Sequence, residues 1–220
     1  MAQSSSYFNQ SRSEMRALLP ERCGRVLEIG CGAGVFSSTL PGATERWGVE
    51  PDPVAAGEAS KHLDHVLTGL YDQVSEKLPD GQFDVIICND VIEHVVDHDA
   101  FLDSIRSKLS ASGVLIASVP NVRYYKLLSE LVFGADWRYR EQGTLDRTHL
   151  RWFTRKSLLR TLGAHGFAVD KIQGINGAFP SLASWFVPGK AIPLGLILLL
   201  TLGAARDILY VQYGVVARKG

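Results

Sequence analysis

The chain has 220 residues, enough for one domain with a full hydrophobic core. Hydrophobic residues make up 46% of it and charged residues 21%, the balance of an ordinary globular protein. Basic and acidic residues are equal in number, and the zero formal charge removes the electrostatic case for a nucleic-acid partner.

Met1 to Asn9 is polar and has no charged-then-apolar leader pattern, which points to a cytoplasmic protein. A helical cap is expected over 1–24. Cys23, Cys31 and Cys88 are odd in number and lie in apolar runs. They read as reduced thiols and not as a disulfide framework. Apolar runs at 25–29, 46–50, 65–69, 84–88 and 113–119 read as five strands. Helical patterns fall between them, at 53–62 and 97–109. Ser110 to Gly113 reads as a helix stop and a turn before the fifth strand. Strands that alternate with helices predict a mostly parallel sheet covered on both faces, a Rossmann-like α/β fold. Residues 120–153 form a long connection rich in aromatics and arginines, read as a helical lid over the acceptor. A helix over 154–165 opens on Thr154 as N-cap and stops at Gly166. Two last strands, 167–173 and 210–217, flank an apolar insertion at 179–206.

The most informative segment is V-L-E-I-G-C-G-A-G, from Val26 to Gly34. A buried strand runs into a glycine turn, and a helix follows from Val35. Gly30 and Gly32 leave bare peptide where a ligand can approach. A nucleoside-containing cofactor fits the crevice at the carboxyl ends of such strands. Glu50 ends the second strand, where a carboxylate can accept from both ribose hydroxyls. A dinucleotide-binding dehydrogenase is the rival reading. Its G-x-G-x-x-G pattern needs glycine at position 35, which here is Val35.

Together with F-D-V-I-I-C-N-D-V-I-E-H (Phe83 to His94), these features make the chain similar to the class I S-adenosylmethionine-dependent methyltransferases. It resembles in particular the ubiquinone-type O-methyltransferases and many small-molecule and sugar methyltransferases. A second string, G-T-L-D-R-T-H-L-R-W-F-T (Gly143 to Thr154), resembles methyltransferases of bacterial polysaccharide and O-antigen biosynthesis. The resemblance implies a seven-stranded sheet whose last strand is antiparallel. It implies that Glu28 and the Gly30-Cys31-Gly32 backbone hold the methionine part of S-adenosylmethionine, and that Glu50 holds the ribose. Leu70 then lies near adenine, and Asn89 and Asp90 border the amino-acid end. One departure is Leu70 itself, where the family often has an acidic residue; Asp72 lies close by.

An alcohol acceptor must lose a proton during methyl transfer, which calls for a general base. Asp90, Glu93 and His94 are spaced to share one face of a helix. His94 is a candidate base. The same three could hold Mg²⁺, although the reading adopted assigns no metal. Asp90 as N-cap with Glu93 reaching back is the structural alternative. Asp146 and His149 form a second candidate pair, a carboxylate orienting an imidazole. The competing reading there is a local turn held by Asp146 and Thr148. Interleaved aromatics and arginines in 120–153 suit sugar rings and anionic groups.

The apolar run 191–205 is shorter than the span of about 20 residues that a bilayer requires. It reads as core, as a homodimer contact, or as a peripheral contact with the inner face of a membrane that carries a lipid-linked substrate. The expectation is O-methylation of a hydroxyl on a small molecule or glycan, with a bacterial surface-polysaccharide intermediate first. A quinone- or phenol-type O-methyltransferase is the alternative. A non-catalytic cofactor-binding scaffold is the contrasting class.

Overall fold

The computed structural model describes residues 12–177 and 206–220. Residues 1–11 of the expected N-terminal cap lie outside them, and so does the apolar insertion up to residue 205. Among the described residues no helix is long and apolar enough to cross a membrane.

Seven strands form one sheet: β1 (Gly24–Ile29), β2 (Ala43–Glu50), β3 (His65–Thr68), β4 (Phe83–Asn89), β5 (Leu109–Pro120), β6 (Phe167–Gly177) and β7 (Tyr210–Lys219). Their order is β3-β2-β1-β4-β5-β7-β6. β1 to β5 are mutually parallel, whereas β7 runs antiparallel to both β5 and β6. The seven-stranded, mostly parallel α/β sheet with an antiparallel last strand is the expected fold.

Both faces of the central strands are buried, which explains their unbroken apolar runs. Leu27, Ile86 and Leu115 face the side packed by α5 (His98–Lys108) and α7 (Arg155–Ala164), through Phe101, Leu102, Ile105, Leu158 and Leu162. Val26, Val85, Ile87 and Ile116 face the other side. There they meet Met15 of α1 (Ser13–Arg16) and Phe36 of α2 (Val35–Ser38). Both long helices are capped as their sequences suggest. The Asp97 carboxylate accepts from the Ala100 amide at 3.0 Å, and the Thr154 hydroxyl accepts from the Ser157 amide at 3.1 Å.

Two boundaries differ from the sequence reading. β5 starts at Leu109, so Ser110 to Gly113 belong to the strand and form no separate turn. The pairing with β4 shifts register between Phe83 and Val85, and this irregularity absorbs the polar stretch. The final two strands run longer than expected because each pairs with the other along its length. After β5 comes α6 (Tyr125–Phe133), and 134–153 is then largely irregular. The lid is helical only in its first third.

The strand order reverses between β1 and β4. Side chains at the carboxyl ends of these strands therefore face an open crevice, and the sequence motifs converge there.

Candidate active site

The glycine turn leaves β1 in left-handed backbone at Gly30 and Gly32, with φ of 71° and 54°. A Cβ on Gly30 would come within 2.9 Å of Val91 Cγ2. Only glycine meets both demands without strain.

Glu50 closes the turn from β2. Its Oε2 accepts from the Gly32 amide at 2.8 Å, and its Oε1 accepts from the Asp52 amide at 2.9 Å. Burial raises its pKa, and these two amides oppose the rise. Each oxygen keeps acceptor capacity for a hydroxyl. Glu50 thus has a structural duty in addition to the expected ribose contact.

Glu28, in β1, is buried and accepts from Ser37 Oγ at 2.6 Å. Burial lifts its pKa to about 7, against the Ser37 hydrogen bond. Asn89 is buried at the end of β4 beside Glu28, whose pKa its amide helps to lower without a hydrogen bond of full geometry. A buried amide with donor and acceptor capacity to spare suits a polar ligand at this end of the crevice. Cys31 is buried in the turn, and burial pushes its thiol up. Leu70 caps α4 (Tyr71–Val74) with an exposed side chain; its own amide donates to Gln73 Oε1 at 3.2 Å.

A stability prediction follows from Glu28. Its pKa is higher in the folded protein than in the unfolded chain, so folding takes up protons between about pH 4.5 and 7. The favourable contribution is complete below the unfolded pKa and is lost as pH rises through the folded value. Glu28→Gln should therefore raise the melting temperature of the cofactor-free protein at pH 8 and leave it nearly unchanged at pH 4.5. Thermal melts at the two pH values check this; equal shifts at both would refute it.

Asp90 is neither helical nor an N-cap. It sits in left-handed backbone with φ 55°. Its Oδ1 accepts from Ser118 Oγ and from Gln212 Nε2, each at 2.6 Å, and its Oδ2 accepts from the Arg12 guanidinium at 2.8 Å. The expected single helix face for Asp90, Glu93 and His94 is thus replaced. Only Ile92–His94 is helical, as a single 3₁₀ turn, and α5 begins later with Asp97 as its cap. The carboxylate of Asp90 satisfies three other elements, and this overrides local spacing.

Glu93 is fully buried, and neither of its oxygens has a hydrogen-bond partner. Burial first, then the charge of Asp90, raises its pKa well above the ordinary carboxylate value. His149 points at it from the lid, with Nε2 3.9 Å from Glu93 Oε1. His149 Nδ1 lies 3.1 Å from the Thr144 carbonyl. A carbonyl only accepts, so Nδ1 carries the proton and Nε2 keeps the lone pair. Burial first, then His94, lowers the His149 pKa. The His94 and His149 rings meet edge to face, 4.7 Å between centroids.

Asp146 does not orient His149. Its Oδ1 accepts from the Thr148 amide at 2.8 Å and from the Thr148 hydroxyl at 2.6 Å, which makes a local turn. These contacts are those of the local turn, and Glu93 is the acid that faces the imidazole. Glu93, His94 and His149 each offer a ligand atom, all within 4.8 Å of one another. This set could hold a divalent cation, with His149 in the place that sequence spacing gave to Asp90.

The lid arginines are mostly engaged within the chain. Arg123 pairs with Asp207, Arg140 with Glu130 and Arg147 with Glu141, and Arg151 donates to the Val95 and Val96 carbonyls. They anchor the lid more than they await an anion. Sequence reasoning missed Arg12, Ser118 and Gln212. For the last two a signal existed: each is a polar residue in an otherwise apolar strand segment.

A sheet of this order, with a glycine turn after its first strand and a buried acid ending its second, defines the class I methyltransferase fold, whose cofactor is S-adenosylmethionine. Comparisons agree. A family model described as "Methyltransferase domain" matches residues 6–172. The ubiquinone biosynthesis O-methyltransferase of Azorhizobium caulinodans is 31% identical over 170 residues, 74% of this chain and 66% of that one. That of Bradyrhizobium diazoefficiens is 32% identical over 126 residues, 54% of this chain and 49% of that one. The chain thus spans about half to two thirds of the length of these relatives. The crystal structure of a SAM-dependent methyltransferase from Archaeoglobus fulgidus superposes with a TM-score of 0.65 at 21% identity, covering 97% of both chains. This chain belongs to the methyltransferase domain family.

Proposed function

We propose that the chain transfers a methyl group from S-adenosylmethionine to a hydroxyl of a small molecule, with a phenol- or quinone-type acceptor first. The observation that carries this reading is the Glu50 carboxylate, buried and pinned over the glycine turn with acceptor capacity left for two ribose hydroxyls. The O-methyltransferase names of the relatives support the hydroxyl acceptor and the phenol or quinone class.

The cofactor supplies an electrophilic methyl group and its own leaving group. The protein's work is then alignment, exclusion of water and removal of the acceptor proton. Glu28 and the backbone of Gly30, Cys31 and Gly32 would hold the methionine end, Asn89 and Asp90 would border it, and Glu50 would hold the ribose. His149, kept neutral by burial, takes the acceptor proton at Nε2; His94 packs against it. Asp146 supports this arrangement only through the turn that places His149.

The glycan reading stands second. Its support is the gathering of carboxylate and amide side chains beside the crevice, at Asp90, Asn176 and Gln212. Incubation with S-adenosylmethionine and either 3,4-dihydroxybenzoate or a methyl glycoside, read by mass spectrometry, tests both. Methylation of the phenol is the expected result. Methylation of the glycoside alone would move the second reading to first place. Cofactor binding without turnover on any hydroxyl compound would support the scaffold class instead.

A further inference from the structure

A cavity of about 720 Å³ opens beside the cofactor crevice. That volume is typical of a small-molecule site. Its lining includes Arg12, Asp90, Ser118, Ile175, Asn176 and Gln212, and none of the glycine turn or Glu50. It lies between the start of α1 and the β6–β7 pair, and it reaches the crevice at Asp90, the first residue after β4.

The polar groups of this cavity form an ordered chain. Asn176 donates its side-chain amide to Gln212 Oε1, and its backbone amide donates to Glu14. With Oε1 thus occupied as acceptor, the Gln212 amide must present its NH₂ to Asp90, and it does so at 2.6 Å. Ser118, fully buried in β5, donates to the same oxygen. Asp90 Oδ1 therefore has both of its acceptor sites filled. Oδ2 receives only Arg12 among the described residues. One acceptor site on Oδ2 remains, on a charged side chain that lines the cavity.

We propose that this cavity is the acceptor-binding site, that Asp90 Oδ2 receives a hydrogen bond from an acceptor hydroxyl, and that Gln212 and Asn176 are positioning residues that aim the carboxylate. The inference rests on the methyltransferase reading above. The contact orients the acceptor and is separate from removal of its proton. Two sources of hydroxyl fit the chemistry, an aromatic ring and a sugar.

The test uses the full chain with S-adenosylhomocysteine bound, with catechol and methyl α-glucoside as separate probes in saturation-transfer NMR. Binding of either probe is expected, and the probe that binds names the source. Gln212→Leu should weaken that binding by roughly tenfold, the value of a hydrogen bond that fixes a charged group. Asn176→Gly keeps the left-handed backbone and removes only the amide, so it should weaken binding in the same direction. S-adenosylhomocysteine affinity should stay constant in both variants, which a general loss of folding would not allow. If neither probe binds, or if both variants bind as wild type does, the proposal is overturned. A wild type that fails to bind S-adenosylhomocysteine overturns the methyltransferase reading first, and this is visible before any probe is added.

Discussion

Replacing Glu50 by alanine should weaken S-adenosylmethionine binding by roughly 100-fold or more, because two hydrogen bonds to a charged acceptor are worth about 1.5–3 kcal/mol each. The structure adds a second consequence that sequence position alone does not contain. Glu50 also accepts from the Gly32 and Asp52 amides, and its side chain is buried. Glu50→Ala therefore leaves two backbone donors without their partner and lowers the melting temperature as well. Glu50→Gln separates the two effects. It keeps one carbonyl acceptor and the shape, so it should fold more stably than the alanine variant while still losing most affinity. Calorimetric titration and thermal melts on both variants provide the measurement. Unchanged affinity in Glu50→Ala would remove Glu50 from the cofactor site.

His149→Ala should lower turnover by roughly 100-fold, the usual contribution of a positioned base. Cofactor affinity should hardly change. Because burial lowers the His149 pKa, the neutral base persists to lower pH than for an exposed histidine. Wild-type turnover should then decline only as pH falls through a value below 6.5, the ordinary histidine value. A decline centred above that value would contradict the assignment. Glu93 discriminates between base and metal chemistry. It is buried with neither oxygen hydrogen-bonded, and Glu93→Gln replaces it at nearly the same size and shape. Turnover that survives Glu93→Gln and is indifferent to chelator supports proton transfer at His149. Turnover that vanishes with chelator, returns with Mg²⁺ and is lost in Glu93→Gln assigns the Glu93–His94–His149 cluster to a cation.

The sheet and the cofactor crevice were legible in the amino-acid order because the relevant information is local. Val26 to Ile29 and Val85 to Cys88 are continuous apolar runs, and burial on both faces requires that pattern. Gly30, Gly32 and Glu50 lie at strand ends, where backbone geometry and ligand approach impose residue type position by position. The caps of α5 and α7 were readable for the same reason: a cap acts within three residues.

The contacts of Asp90, Asp146 and His149 were decided by tertiary structure. Asp90, Glu93 and His94 have helical spacing, yet Asp90 turns into left-handed backbone to meet Ser118, Gln212 and Arg12, which lie 28, 122 and 78 residues away. Asp146 and His149 are three positions apart, and the shorter reach to Thr148 takes the carboxylate from the imidazole. His149 meets Glu93 instead, across the packing of the lid on the turn after β4. A hydrogen bond to a charged group outweighs a local helical preference of less than about 1 kcal/mol per residue. The sequence by itself determined the class I fold and the glycine turn with its facing acid, Glu50, since periodicity and turn chemistry act over a few residues. Which side chains face each other across the crevice was left to the pairing of β7 with β5 and the docking of the lid, because those contacts join residues whose separation along the chain carries no local signal.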